Sequence, residues 1–92
     1  MSWKNILKSD EGQKAFLNYM IKHHGREYAL DMGIMEMNPN QVFASLQEEL
    51  NVNNYEKLSY PNDVERQTMY ATMNEEIEDI MEKHYREHFD MR

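Results

Sequence analysis

The sequence predicts an all-α fold, either a small helical bundle or a helical hairpin with one long C-terminal helix, completed by oligomerisation. Apolar side chains recur at intervals of three and four residues, which is the period of one helix face. Helix-start signals precede two of these apolar stripes. The 92 residues contain only three glycines and two prolines, so long stretches run without a residue that breaks a helix.

The N-terminal part of the chain is predicted to be helical in two pieces. Residues 1–8 would form a short docked helical turn anchored by Trp3, because so few residues do not hold a helix in water by themselves. Residues 10–37 carry the next stripe, which Gly25 or Gly33 interrupts. A glycine inside a helix costs about 1 kcal/mol relative to alanine. This second piece is therefore predicted to be one kinked helix or two separate ones.

The C-terminal part is predicted to hold two more helices. Asn38 and Gln41 have the spacing of a capping box, in which each side chain bonds the other's backbone amide, and they predict a helix over residues 39–50. Residues 51–61 lose the periodicity and contain two adjacent asparagines, which favour turns, so we expect the main connection here. Residues 63–89 lack glycine and proline and are predicted to form one long helix.

An apolar stripe on the last helix predicts self-association. Met69, Met73, Ile77 and Ile80 recur at helical spacing. A helix of about 27 residues spans roughly 40 Å, whereas a compact domain of this length has a radius of gyration of only about 12 Å. Part of such a helix would lack a cover within one chain. We therefore expect these residues, together with Trp3, to form the interface of a homo-oligomer.

Charge and composition exclude several classes of function. Seventeen acidic against ten basic side chains give a formal net charge of -7, which repels nucleic-acid backbones and anionic membranes. The absence of cysteine excludes disulfides, thiolate metal sites and cysteine nucleophiles. No apolar run approaches the roughly 20 residues of a membrane span, and the first residues do not resemble a signal peptide, so we expect a cytoplasmic protein.

Histidine and glutamate near both ends of the chain suggest a metal site as a first alternative. His84 and His88 are four residues apart and would share one face of a helix, where two imidazoles can bind one ion. If the early and late helices pack antiparallel in a suitable register, His24 and Glu27 would join them. Such a set of ligands suits a divalent transition metal.

A small basic segment suggests a second alternative, the sequestration of a small anionic nucleotide. Lys14, Lys22 and Arg26 lie near one another in the sequence of an otherwise acidic chain, and their charges attract phosphate. No glycine-rich phosphate loop accompanies them. Phosphate binding would therefore depend on these side chains alone.

No segment carries a catalytic motif, so the sequence favours a small acidic non-enzymatic protein over an enzyme. We expect it to bind a protein partner through a helical surface, in the manner of an adaptor or inhibitor, and to self-associate. The acidic residues Glu75, Glu76, Glu78, Asp79 and Glu82 are typical of a solvated helix face. The alternative is that they imitate the phosphate backbone of a nucleic acid.

Overall fold

The computed structural model describes the backbone of residues 3–86 and the side chains of residues 11–86. Over this range the chain forms four α-helices and one short 3-10 helix without a β-strand, which confirms the predicted all-α class. The helices are α1 (Trp3–His24), α2 (Arg26–Asp31), α3 (Pro39–Ser59) and α4 (Val64–His84), and the 3-10 helix (Ile34–Glu36) lies between α2 and α3.

The first helix, α1, runs antiparallel to α4. Gly12 packs against the ring of Tyr85, the residue that caps the end of α4. Further along α1, the His23 side chain contacts Glu76 in the second half of α4. As the chain advances along α1, its contacts therefore move backwards along α4.

Helices α3 and α4 form an antiparallel helical hairpin. The rings of Phe43 and Tyr85 lie 6.2 Å apart where α3 begins and α4 ends. Towards the turn between the two helices, the Gln67 side chain donates a hydrogen bond to the backbone carbonyl of Lys57. Because α1 and α3 both oppose α4, they point in the same direction. The chain between them must therefore return along the bundle.

The returning segment contains α2 and the 3-10 helix, and α1 holds it in place. The Gln13 side chain donates hydrogen bonds to the carbonyl oxygens of Ile34 at 3.2 Å and Met37 at 2.6 Å. The helix is broken at both candidate glycines, since Gly25 has φ 93° and Gly33 has φ 66°. These positive φ values suit glycine, which has no Cβ to clash with the backbone.

The α1 helix is continuous from Trp3 to His24, so the predicted separation of a docked turn at residues 1–8 is wrong. Ser9 and Asp10, which often cap helix starts, lie inside the helix instead. These residues favour caps because their side chains compete for backbone hydrogen bonds. This preference does not end a helix that has good helix formers on both sides.

The start of α3 was predicted correctly, and its end was not. The Asn38 side chain accepts a bond from the Gln41 amide, and the Gln41 side chain accepts one from the Asn38 amide, both at 2.9 Å, which confirms the capping box. The helix continues to Ser59, so the predicted connection at residues 51–61 is largely helical. Asn53 explains the difference, because it is 2% exposed and its hydrogen bonds in the core outweigh its turn preference.

The predicted C-terminal helix over residues 63–89 is present as α4, but α4 ends at His84. The α4 helix has 21 residues, as many as α3, and α1 has 22. At Tyr85 the backbone leaves helical geometry, with φ -129°, and its side chain is only 2% exposed. Residues 87–89 of the predicted helix lie outside the described residues.

The core lies between α1, α3 and α4, with one residue each from α2 and the 3-10 helix. Its buried apolar residues are Phe16, Tyr19, Met20, Ala29, Ile34, Val42, Leu46, Met73, Ile77, Ile80, Met81 and Tyr85. Burial of a large apolar side chain contributes about 1.5–3 kcal/mol, so this cluster is the main source of stability. None of the helices in the described part of the chain has both the length and the apolar character needed to cross a membrane.

Candidate interaction surface

A polar cluster holds the end of α1 against α3 and α4. Lys22 Nζ and His23 Nε2 each lie 2.5 Å from a carboxylate oxygen of Glu76 on α4. His24 Nε2 lies 3.0 Å from Oε1 of Glu49 on α3. Burial raises the pKa of Glu76, but the hydrogen bonds from Lys22 and His23 outweigh it and hold this pKa below its usual value. The Glu76 carboxylate therefore stays ionised and ties α1 to α4.

At the same height along the bundle, a chain of side-chain hydrogen bonds links the three helices. Asn53 donates to Asn74 Oδ1 at 3.0 Å and to the Tyr19 hydroxyl at 3.4 Å, and Asn74 donates to Asn54 Oδ1 at 3.0 Å. Burial raises the pKa of Tyr19 to about 12, so its hydroxyl stays neutral. Because these groups bond one another, the cluster fixes the register of the three helices.

Beyond this level α1 has ended, and α3 and α4 continue as a projection of two helices. We call residues 54–72 the hairpin tip. None of these 19 residues is buried, whereas Asn53 and Met73 on either side of them are. Helices derive most of their stability from a buried apolar face. Among the described residues, the hairpin tip contributes only the partly buried Tyr70 to the core.

The two helices of the hairpin tip are joined through polar groups. Gln67 Nε2 donates to the carbonyl oxygens of Lys57 at 2.5 Å and Tyr60 at 2.8 Å. The Arg66 guanidinium lies 4.0 Å from the centre of the Tyr60 ring and 3.1 Å from Asp63 Oδ2. Asp63 also caps α4 by accepting a bond from the Arg66 amide. Polar side chains and the face of the Tyr60 ring therefore hold the turn between the two helices in place.

Five large apolar side chains of the hairpin tip face solvent. They are Tyr55 (69% exposed), Leu58 (80%), Tyr60 (42%), Val64 (76%) and Met69 (47%). Together they expose on the order of 500 Å² of side-chain surface. Segments with several exposed apolar side chains among polar groups are candidates for binding another protein. The hairpin tip is therefore the candidate functional site.

The predicted oligomer interface is largely inside the molecule. Met73, Ile77 and Ile80 are 5%, 0% and 8% exposed, because α1 and α3 cover them within one chain. The prediction that these three residues form an interface is wrong. Met69 is 47% exposed and belongs to the hairpin tip. The side chain of Trp3 lies outside the described residues.

The two predicted halves of the metal site do not meet. The helices α1 and α4 are antiparallel, but their register places the end of α1 opposite Glu76, and His84 lies eight residues further, about 12 Å along the axis. His24 bonds a carboxylate on α3 instead, and Glu27 is exposed on α2. Among the described side chains, no three His, Asp or Glu residues are placed to hold a metal ion. His88 lies outside this range.

The predicted anionic-ligand patch is not gathered at one point. Lys22 is engaged by the Glu76 carboxylate. Lys14 lies eight residues earlier on the same helix, which is about 12 Å along the axis. Arg26 follows the break in the helix at Gly25. A single phosphate group therefore does not meet three positive side chains here.

The α3 side of the hairpin tip was not predicted from the sequence, because a connection was expected at residues 51–61. In a helix that continues through this stretch, Val52, Tyr55 and Leu58 recur at intervals of three residues. They lie on the side of α3 that is opposite to Leu46 in the core. This spacing is the signal that would have revealed the exposed face.

Comparison of the chain with protein families, with curated proteins and with solved structures gives no match. Its function is therefore inferred from its own residues and their geometry.

Proposed function

We propose that this chain is a small acidic, non-enzymatic binding protein that presents the hairpin tip to another protein, in the manner of an adaptor or inhibitor. One observation carries the proposal: 19 consecutive residues include no buried side chain and five large exposed apolar ones. Apolar surface costs about 25 cal/mol per Å² when it is left in water. A protein partner that covers the tip would recover this free energy.

The distribution of charge supports a protein partner over a phosphate ligand. The chain has a formal net charge of -7, and Glu75, Glu78, Asp79 and Glu82 are exposed on α4 beyond the tip. Nucleic acids and anionic lipids are repelled by such a surface. The hairpin tip carries only two basic and three acidic side chains, which nearly balance. An apolar and nearly neutral surface is typical of the centre of a protein interface.

The polar cluster at the end of α1 supports a structural role for its charged groups. Glu76 is bonded by two side chains and Glu49 by a third, and all three of these donors come from the last turn of α1. These contacts position the end of α1 and thereby determine where the two-helix projection starts. Lys22 and His24, which the sequence suggested as ligand-binding residues, therefore stabilise the packing of the helices.

Site-specific photo-crosslinking in cells that express the chain tests the proposal. The variant Tyr55→p-benzoylphenylalanine places the reactive group in the tip, and Glu78→p-benzoylphenylalanine is the matched control on the acidic part of α4. We expect a protein adduct from position 55 that disappears when Leu58→Glu and Val64→Glu are added, and none from position 78. Equal labelling at both positions, or no adduct at position 55, would overturn the proposal.

A further inference from the structure

We infer that the protein bound at the hairpin tip is a second copy of this chain, docked tip to tip about a twofold axis. This inference rests on the proposed function, since it identifies the partner at the same surface. Three properties of the molecule support it: the position of its described ends, its charge distribution and the composition of the tip.

The described ends of the chain lie at the opposite end of the bundle from the hairpin tip. The contact between Gly12 and Tyr85 places the first half of α1 and the end of α4 at the opposite end of the bundle. The 21 residues of α4 span about 30 Å from Val64 to His84. Neither described end of the chain therefore covers the hairpin tip.

The charge distribution favours a second copy at the tip and disfavours one elsewhere. The hairpin tip has a formal charge of -1, so six of the seven net negative charges belong to the rest of the chain. Two copies that met through their acidic helices would repel each other. In a tip-to-tip dimer these parts point away from the contact. Glu75, the first exposed acidic residue of α4 beyond the hairpin tip, lies about 16 Å from Val64, which is twice the Debye length of about 8 Å at physiological salt.

The composition of the tip suits a contact between identical surfaces. A twofold interface brings the same patch of each copy together, so the patch must complement itself. The tip carries both signs of charge, with Lys57 and Arg66 near Asp63 and Glu65, and its apolar side chains lie among them. A basic partner would prefer the acidic part of α4, and an acidic partner would gain nothing from a tip that is nearly neutral.

The exposed area predicts a weak dimer. The tip offers on the order of 500 Å² of apolar side-chain surface per copy, compared with about 800 Å² of total surface per partner in a standard interface. Contacts of this size lie at the low end for specific interfaces, where complexes are weak and transient. The copies would exchange readily, and the dimer would form only where the protein is concentrated.

Sedimentation equilibrium of the full chain tests the inference. The mass of the wild type should rise from 11.2 kDa towards twice that value as the concentration increases from about 1 to 500 µM. The double variant Leu58→Glu with Val64→Glu should stay at the monomer mass. Because both side chains are exposed, its circular dichroism and melting temperature should match those of the wild type. Leu30→Glu, which changes a 58% exposed residue outside the tip, is the matched control and should dimerise normally.

A wild type that stays at 11.2 kDa, or a Leu30→Glu variant that loses the dimer as completely as the tip variant, would overturn the inference. Raising the salt concentration should leave the dimer intact or strengthen it, since salt screens the repulsion between the acidic parts. Dissociation by salt would contradict the charge argument. A tip adduct with a different protein, found with a monomeric chain, would refute this inference and leave the proposed function standing.

The absence of cysteine allows a second test by covalent trapping. In the proposed dimer, Leu58→Cys puts a thiol of each copy inside the interface, whereas Leu30→Cys leaves it outside. Oxidation of concentrated protein should therefore give more disulfide-linked dimer for position 58 than for position 30. Similar yields at both positions would show that the tip is not the contact.

Discussion

Gly12→Ala should destabilise the protein, although alanine is the better helix former. Gly12 lies inside α1 and packs against the ring of Tyr85. A Cβ atom at this position would lie 2.6 Å from Tyr85 Cζ and 2.8 Å from Cε2, and it would also clash with the hydroxyl oxygen. These separations are shorter than van der Waals contact, so the ring or the helix would have to move.

The magnitudes decide the sign of the effect. Replacing glycine with alanine inside a helix gains about 1 kcal/mol. Overpacking a filled core costs about 1–3 kcal/mol. The Tyr85 ring is 2% exposed, so swinging it into solvent would forfeit the burial of a large aromatic side chain, worth about 1.5–3 kcal/mol. The net result should be a loss of up to about 2 kcal/mol in the free energy of unfolding.

Urea denaturation followed by circular dichroism measures this loss. With a slope of about 1–2 kcal/mol per M, the midpoint of Gly12→Ala should fall by up to about 1 M relative to the wild type. A double-mutant cycle with Tyr85→Phe identifies the cause, because Phe lacks the atom nearest to the new Cβ. Gly12→Ala should therefore cost less in the Tyr85→Phe background. A Gly12→Ala variant that is more stable than the wild type would refute the proposed packing of α1 on α4.

Three other measurements test the polar clusters and the tip. Asn53→Ala should lower the free energy of unfolding by about 1–3 kcal/mol, because it leaves the Asn74 oxygen without this donor. The control Asn51→Ala, at an exposed position, should change the free energy of unfolding by less than about 0.5 kcal/mol. Because folding lowers the pKa of Glu76, its stabilising contribution is present above the unfolded value near 4.5 and is lost as pH falls through the lower folded value. Urea midpoints between about pH 6 and 3 should fall less steeply for Glu76→Gln than for the control Glu78→Gln, and equal slopes would contradict this assignment. Hydrogen exchange should be faster at amides of the hairpin tip than at amides of the core helices. Exchange at the tip should slow as the protein concentration rises. Exchange that is uniform along the chain and independent of concentration would contradict both the lower stability of the tip and its dimerisation.

Local signals in the sequence predicted the fold class and the start of α3. The capping box of Asn38 and Gln41 involves residues three apart, so its chemistry is complete within the sequence window that predicts it. The extension of α3 is different. Asn53 is helical because it bonds Asn74 and Tyr19, which are 21 and 34 residues away. Local sequence preferences carry no information about such distant partners. The turn preference of asparagine therefore led to the wrong prediction of a connection at residues 51–61.

The apolar stripe of α4 shows that the candidate site, too, could not be predicted from local sequence alone. Periodicity correctly identifies an apolar face on α4, yet it does not say which neighbour covers that face. The returning segment between α1 and α3 decides this, because it allows α1 to pack along α4 and bury Met73 and Ile77 within one chain. The same arrangement ends α1 before the hairpin tip. The site is therefore a consequence of where α1 stops, which depends on Gly25 and on the contact between His23 and Glu76.

The polar groups inside the hairpin tip explain why its apolar side chains remain available for binding. Gln67 and Arg66 hold the turn through bonds to Lys57, Tyr60 and Asp63, while Leu58 and Val64 face solvent. The exposed surface is thus set before any partner arrives, and docking does not have to order a collapsed tip. The acidic part of α4 adds the second condition, because it repels a copy that approaches along this helix. The proposal of a weakly dimerising binding protein therefore rests on two separable features, a turn fixed by polar contacts and a charge placed away from it.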